Sequence, residues 1–246
     1  LDQLSVGGLV YFVVVMILSF SVRGSAGFGG LNAPLLLIVL PAKVIVPALV
    51  MLGVLSSLAI VMRDHRYIQW RHVARTLPYG LIGVVLGVMV FKELDAKAIE
   101  KGLGLFILGY GLYSQWRVSR PPGPSRVPPN LLAAVAGLVG GLIGTMFGAL
   151  AGVFVAVYFD VLNMPKHEFR ATMAATLFLM GIGRTLGYLA VDAINTDVMI
   201  AFAAALPLMG LGVVLGHRLH AHLNQAGFGR LVSVLFVLIG SFLLFR

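Results

Sequence analysis

Long apolar runs separated by short polar loops organise this chain. Leu4–Val22, Val44–Met62, Val73–Phe91, Ile99–Trp116, Phe169–Leu189, Val198–Gly216 and Phe228–Phe245 each come close to the ~20 apolar residues that carry a helix across a bilayer. One further block, Leu131–Phe159, is equally apolar but interrupted by glycines. A similar interruption lies near the start, where SVRGSAGFGGLNAPLLLIVL (Ser21 to Leu40) sets an arginine, several glycines and a proline into apolar sequence. The pattern predicts an all-α polytopic membrane protein. Composition agrees, with 59% hydrophobic and 11% charged residues and a mean hydropathy of +1.00, where a soluble domain carries about 25% charged residues. The first run lacks a basic leading region and has Asp2 in its place, so it reads as a span rather than a secretory signal.

The apolar pattern also repeats. LPYGLIGVVLG (Leu77–Gly87) recurs as LPLMGLGVVLG (Leu206–Gly216), and LFILGYGLY (Leu105–Tyr113) more loosely as FVLIGSFLL (Phe236–Leu244). AGFGGLNAP (Ala26–Pro34) aligns with TMFGALAGV (Thr145–Val153), and LPAKVIVP (Leu40–Pro47) with MPKHEFRA (Met164–Ala171). The matches keep their order about half a chain apart, which is the signature of an internal repeat. Between the halves lies RVSRPPGPSRVPPN (Arg117–Asn130), too rich in proline to be helical. The reading is therefore a first repeat over 1–116, a linker over 117–130 and a second repeat over 131–246.

Charge fixes the expected orientation. The loop 63–75 carries Arg63, Arg66, Arg71 and Arg75 against Asp64 alone, while its repeat partner 191–197 carries two acids and no base. The loop 92–101 balances lysines against acids, while its partner 217–230 holds Arg218, Arg230 and three histidines without an acid. Basic loops collect on the cytoplasmic side, so equivalent loops face opposite sides and the repeats are inverted. Each repeat then needs a broken hairpin, a full helix plus a half-helix returning to the same side, followed by three transmembrane helices. The expected half-helices are Phe28–Leu40 and Leu150–Phe159. The linker is expected in the cytoplasm and both termini in the periplasm.

In lipid, irregular backbone is tolerated only inside protein or along a wet cavity. A half-helix that starts inside the membrane has unpaired N–H groups at its start, and its dipole adds partial positive charge there. Two such starts, near Gly29 and near Gly148, make an anion site. Arg23 stands at the first break and reads either as a ligand in the pathway or as a side chain snorkelling to the interface. Arg184, past the middle of its span, reads as a pathway residue, an interfacial residue or a partner of Asp192. Asn32, in the first turn of the half-helix, is the best neutral donor, ahead of Ser25, Ser56, Ser57, Thr145, Thr172 and Thr176. Tyr79 and Tyr188 read as packing or belt residues. Candidate binding residues are thus Arg23, Gly27, Phe28, Gly29, Gly30, Asn32, Phe147, Gly148, Ala149 and Arg184.

Other chemistries lack residues. There is no cysteine, and no Asp or Glu falls within an expected span, so neither thiolate chemistry nor a buried carboxylate relay has a candidate. The histidines, including HRLHAH (His217–His222), sit in expected cytoplasmic loops and read as basic interface rather than a metal site. The net charge of +9 follows from basic cytoplasmic loops, without the basic runs interleaved with aromatics that bind nucleic acid. No enzyme, cofactor, metal or nucleic-acid partner is expected.

The glycine-rich AGFGGLNAPLLL, its copy TMFGALAGVFV and the four-element repeat resemble the TauE/SafE sulfite exporter family over nearly the whole chain. The family tends toward three consecutive glycines and then a proline. Here Leu31 follows Gly29 and Gly30, Pro34 is present, and the second copy has Gly148 with Val153 where the proline would be. The resemblance implies a bacterial inner-membrane transporter exporting sulfite or a related small sulfur oxoanion or organosulfonate. Alternatives are an organosulfonate uptake permease, a channel-like anion path or, in another class, a non-transporting scaffold. The partners implied are the anion and the bilayer, with homo-oligomerisation left open.

Overall fold

The computed structural model describes residues 5–26, 32–118, 128–148, 150–219 and 241. These form helices α1 (Val6–Ala26), α2 (Asn32–Leu36), α3 (Ala42–Asp64), α4 (Trp70–Glu93), α5 (Ala96–Val118), α6 (Pro129–Phe147), α7 (Ala151–Val161), α8 (Lys166–Ala190) and α9 (Thr196–Leu219), with a 3-10 turn at His65–Tyr67. Among the described residues there is no strand, and six helices are long and apolar enough to cross a membrane: α1, α3, α4, α6, α8 and α9. The chain is an all-α, multi-pass membrane protein. The expected last span, Phe228–Phe245, lies outside the described residues apart from Ser241.

Glycine decides which helices touch. A Cβ at Gly87 of α4 would fall 2.9 Å from the Leu142 carbonyl oxygen of α6, and Gly137 and Gly141 of α6 face the Thr76 and Gly80 carbonyls of α4 in return. At α1 and α9, a Cβ at Gly212 would come 2.8 Å from the Ile17 carbonyl, and one at Gly24 equally close to that of Val213. Small residues let helix backbones approach where no hydrophobic drive exists between helices in lipid. In both pairs residue numbers rise together along the contact, so α4 runs parallel to α6, and α1 to α9. The central pair, α3 and α8, is antiparallel: Gly181 packs on Val54, and further along Arg170 meets Asp64. The opposite faces of α1, α4 and α9 expose leucine, isoleucine and valine, among them Leu18, Ile82, Val85, Leu211 and Val214, which suits contact with lipid.

Polar contacts tie the end of α3 and the start of α4 to α7 and α8. Asp64 pairs with Arg170 at 3.1 Å. Gln69 donates from Nε2 to Glu168 and from its backbone N–H to Thr172, both at 3.0 Å. His72 Nδ1 and the Tyr158 hydroxyl share a hydrogen bond of 2.9 Å. At the opposite end of α3, Lys43 Nζ donates to the carbonyls of Phe91 and Lys92 at the end of α4.

The second interruption is a hairpin. α6 has 19 residues, about 28 Å of helix, and α7 has 11, about 16 Å. The second length is far below the ~30 Å hydrocarbon core. Because α6 is parallel to α4, and Tyr158 near the end of α7 reaches His72 in the first turn of α4, α7 returns to the side from which α6 sets out. Of the expected first half-helix, residues 28–31 lie outside the described residues, and Asn32–Leu36 form helix α2. Past Leu36 the coil tightens, with Ile38 and Val39 bonding back three residues to Leu35 and Leu36, and Pro41 then starts α3.

Candidate functional site

The break between α6 and α7 is built from backbone that most residues avoid. Gly148 closes α6 with φ 67°, and Leu150 precedes α7 with φ 68°. Glycine takes the left-handed region freely. Leucine does not, and a position of this kind costs about 1–3 kcal/mol. The surroundings hold the conformation: Leu150 is buried, and a Cβ at Gly148 would lie 3.1 Å from Val46 Cγ1. Tyr188 of α8 donates its hydroxyl to the Thr145 carbonyl near the end of α6. Of the first amides of α7, that of Val153 donates to the Leu150 carbonyl at 3.0 Å, while those of Ala151 and Gly152 stand ahead of the first intrahelical bond.

Two arginines meet this break. Arg184, on α8, is only 6% exposed; its Nη2 donates to the Gly140 carbonyl of α6 at 3.3 Å. A Cβ at Gly144 would run into the Ala151 Cβ of α7 and would fall 2.6 Å from the same Nη2, so the glycine admits both the start of α7 and the guanidinium. Arg23, in the last turn of α1, donates from Nη2 to the Gly53 carbonyl at 3.1 Å and to Ser57 Oγ at 2.9 Å, both on α3. Gly53 makes room here too, since a Cβ at that position would stand 3.3 Å from Nη2. The Nε atoms of both arginines are buried without a hydrogen-bond partner. Among the described residues neither arginine forms an ion pair with a carboxylate.

Both arginines line one cavity of about 20 Å³, with Leu49, Val50 and Gly53 of α3, Leu177 and Gly181 of α8, and Gly148, Leu150, Ala151 and Gly152 of the break. The walls are apolar or glycine, so the polar character comes from two guanidinium groups and from backbone at the start of α7. That volume holds about one water molecule.

The sequence-predicted residues divide accordingly. Arg23, Gly148 and Arg184 come together on the cavity. Neither arginine snorkels; each reaches across to a neighbouring helix, and Arg184 has no ion pair with Asp192. Phe147 does not line the cavity: it is buried, with its ring 6.3 Å from that of Phe106 on α5. Asn32 is buried away from the lining, and its Oδ1 accepts the Ala33 amide at 3.1 Å. Gly27, Phe28, Gly29, Gly30 and Ala149 lie outside the described residues. Three of the neutral donors bond their own helix, Ser56 to Gly53, Thr145 to Gly141 and Thr176 to Thr172. Tyr188, expected as packing, is buried and braces the break. Sequence reasoning missed Gly53, Gly140, Gly144 and Gly181. The spacing Gly140-Gly141-Gly144 signals close helix approach, but nothing in it names an arginine from another helix as the guest. Among the described residues no group of His, Asp or Glu is arranged to hold a metal.

Comparison with known proteins gives one match: residues 11–243 fit the family model described as Sulfite exporter TauE/SafE. No curated protein matches. No solved structure matches either.

Proposed function

The chain belongs to the TauE/SafE sulfite exporter family of membrane transporters, and from that premise we propose that it exports sulfite or a related small sulfur oxoanion across the bacterial inner membrane. One observation carries the reading: two arginines without a carboxylate, Arg184 buried and Arg23 part-buried with its Nε enclosed, line the same cavity as the start of a half-helix. An arginine inside a membrane costs about 2.5–3.5 kcal/mol on insertion scales, so two in one place call for a compensating ligand. A planar guanidinium matches an oxoanion in shape as well as charge, and the amides of Ala151 and Gly152 add donors aimed along the helix dipole.

Transport follows from closure. A cavity of about 20 Å³ is too small for a sulfur atom with three oxygens, so the anion enters when the walls part and is enclosed when they meet. The walls come from both halves: α1 and α3 from one, the α6–α7 break and α8 from the other. Inverted repeats over 1–116 and 131–246, joined by a cytoplasmic linker over 117–130, supply the movement, one half rocking against the other. Support comes from the packing, since exchanging the halves maps α1 on α9 onto α6 on α4, and sets α3 antiparallel to its equivalent α8. In this reading the side bearing Arg63, Arg71 and Lys166 is cytoplasmic and both termini are periplasmic. An inside-negative potential favours anion exit by about 2.3 kcal/mol per charge at 100 mV.

The test is sulfite efflux from proteoliposomes under an imposed potential, with Arg184→Ala beside wild type. The expected result is efflux from wild type and its loss in the variant. Absence of sulfur-anion efflux from wild type ends the transport reading; equal efflux from both ends the site assignment alone.

A further inference from the structure

We infer that the protein turns over as an anion exchanger, releasing one doubly charged oxoanion for each anion of the same charge that it takes up. This rests on the transport reading above, and adds the charge of the substrate and the mode of turnover. Arginine stays protonated in proteins, so the cavity brings two fixed positive charges together. The side chains of Arg23 and Arg184 line the same cavity. The protein compensates them only in part, with one carbonyl and one hydroxyl for Arg23, one carbonyl for Arg184 and nothing for either Nε. Of the nine acidic residues in the sequence, all except Asp2 are described, and among the described residues none pairs with either arginine.

A dianion cancels the two charges and a monoanion leaves one standing. An oxoanion with three oxygens can accept from both guanidinium groups and from the first amides of α7 together. The same balance governs turnover, because alternating access passes through a closed form in which the site touches neither aqueous side. Loaded with a dianion, that form is neutral at the site. Empty, it encloses two desolvated cations, and a cavity of about 20 Å³ admits about one water to solvate them. Burying charge without a partner is far more costly than burying it paired. The loaded site therefore reorients readily and the empty site slowly, and a dianion arriving from the far side speeds the return. Like-for-like exchange moves no net charge, so the membrane potential acts on net efflux and leaves the exchange rate unchanged.

The experiment uses the full chain in proteoliposomes loaded with radiolabelled sulfite, at an alkaline pH that keeps sulfite doubly charged. Efflux is timed into medium containing unlabelled sulfite, chloride or gluconate, with and without a potential set by potassium and valinomycin. The expected result is efflux about tenfold or more faster into sulfite than into gluconate, no acceleration by chloride, and an exchange rate indifferent to the potential. Equal rates into sulfite and gluconate, or an exchange rate that follows the potential, overturn exchange and leave the transporter reading standing. Acceleration by chloride equal to that by sulfite overturns the pairing with a doubly charged anion. No efflux in any arm, including the arm with an imposed potential, overturns exchange and transport together.

Discussion

The seats of Arg23 and Arg184 serve one cavity by different routes. In the first half the arginine lies on the first helix and reaches a glycine carbonyl on α3. In the second half it lies on α8 and reaches a glycine carbonyl on α6. Under the proposed inverted repeat, which pairs α3 with α8 and α1 with α6, the two arginines are not copies of one residue, yet each spans an equivalent pair of helices. They also differ in satisfaction. Arg23 has two partners, one a hydroxyl at 2.9 Å, and a glycine whose Cβ would stand 3.3 Å from its Nη2, tight but looser than at Gly144. Arg184 has one carbonyl at 3.3 Å, deep burial and a glycine against its tip. A charge poorly served by protein depends most on a ligand, so in the proposed site Arg184 is expected to be the stronger ligand and Arg23 the more structural of the two.

The largest expected effect is at Arg184. Arg184→Leu lowers sulfite flux about 100-fold, the scale of losing two charge-assisted hydrogen bonds, while its melting temperature in detergent stays level or rises, because an apolar residue replaces an uncompensated buried charge. A fall in both flux and stability would make Arg184 a structural residue instead. Arg23→Leu comes next, with flux about tenfold lower and a lower melting temperature, since the Gly53 carbonyl and the Ser57 hydroxyl lose their donor. Equal losses at the two positions would erase the distinction.

The glycines sharpen it further. Gly144→Ala drives a Cβ into the Arg184 guanidinium, costs about 1–3 kcal/mol of crowding and raises the apparent KM for sulfite severalfold. Gly53→Ala, with its looser contact, changes KM less than twofold. The smallest effect is at Ser57→Ala, worth about 1 kcal/mol of stability with flux near wild type. Reversal of the two glycine effects would mean that Arg23 is the tighter seat.

Legibility in the sequence followed the same division. Period and glycine spacing were enough to find α1, α3, α4, α8 and α9 as spans and to place the α6–α7 break near Gly148, because those features come from local backbone chemistry and from the solvent; Ile99–Trp116, expected as a span, is the helix α5, which is not among the six candidates. LPYGLIGVVLG and LPLMGLGVVLG became the packing faces of α4 and α9, since the glycines they share admit a neighbouring backbone. The guests of particular glycines stayed hidden. Whether Gly144 receives an arginine or a leucine depends on which helix lies opposite, and the repeat argument pointed elsewhere because Arg23 and Arg184 occupy non-equivalent helices. Phe147 and Asn32 were drawn in by their proximity to the breaks; the first packs on Phe106, and the second spends its oxygen on Ala33. Tyr188 was undervalued because the carbonyl it meets near the end of α6 cannot be named before that end is located.

The proposed anion binding at the paired arginines can be tested without transport, as the sulfite-induced shift in melting temperature of purified protein in detergent, wild type against Arg184→Leu. The account predicts a saturable rise for wild type and none for the variant, whose ligand-free melting temperature is at least that of wild type. A rise of equal size and concentration dependence in both proteins would contradict it.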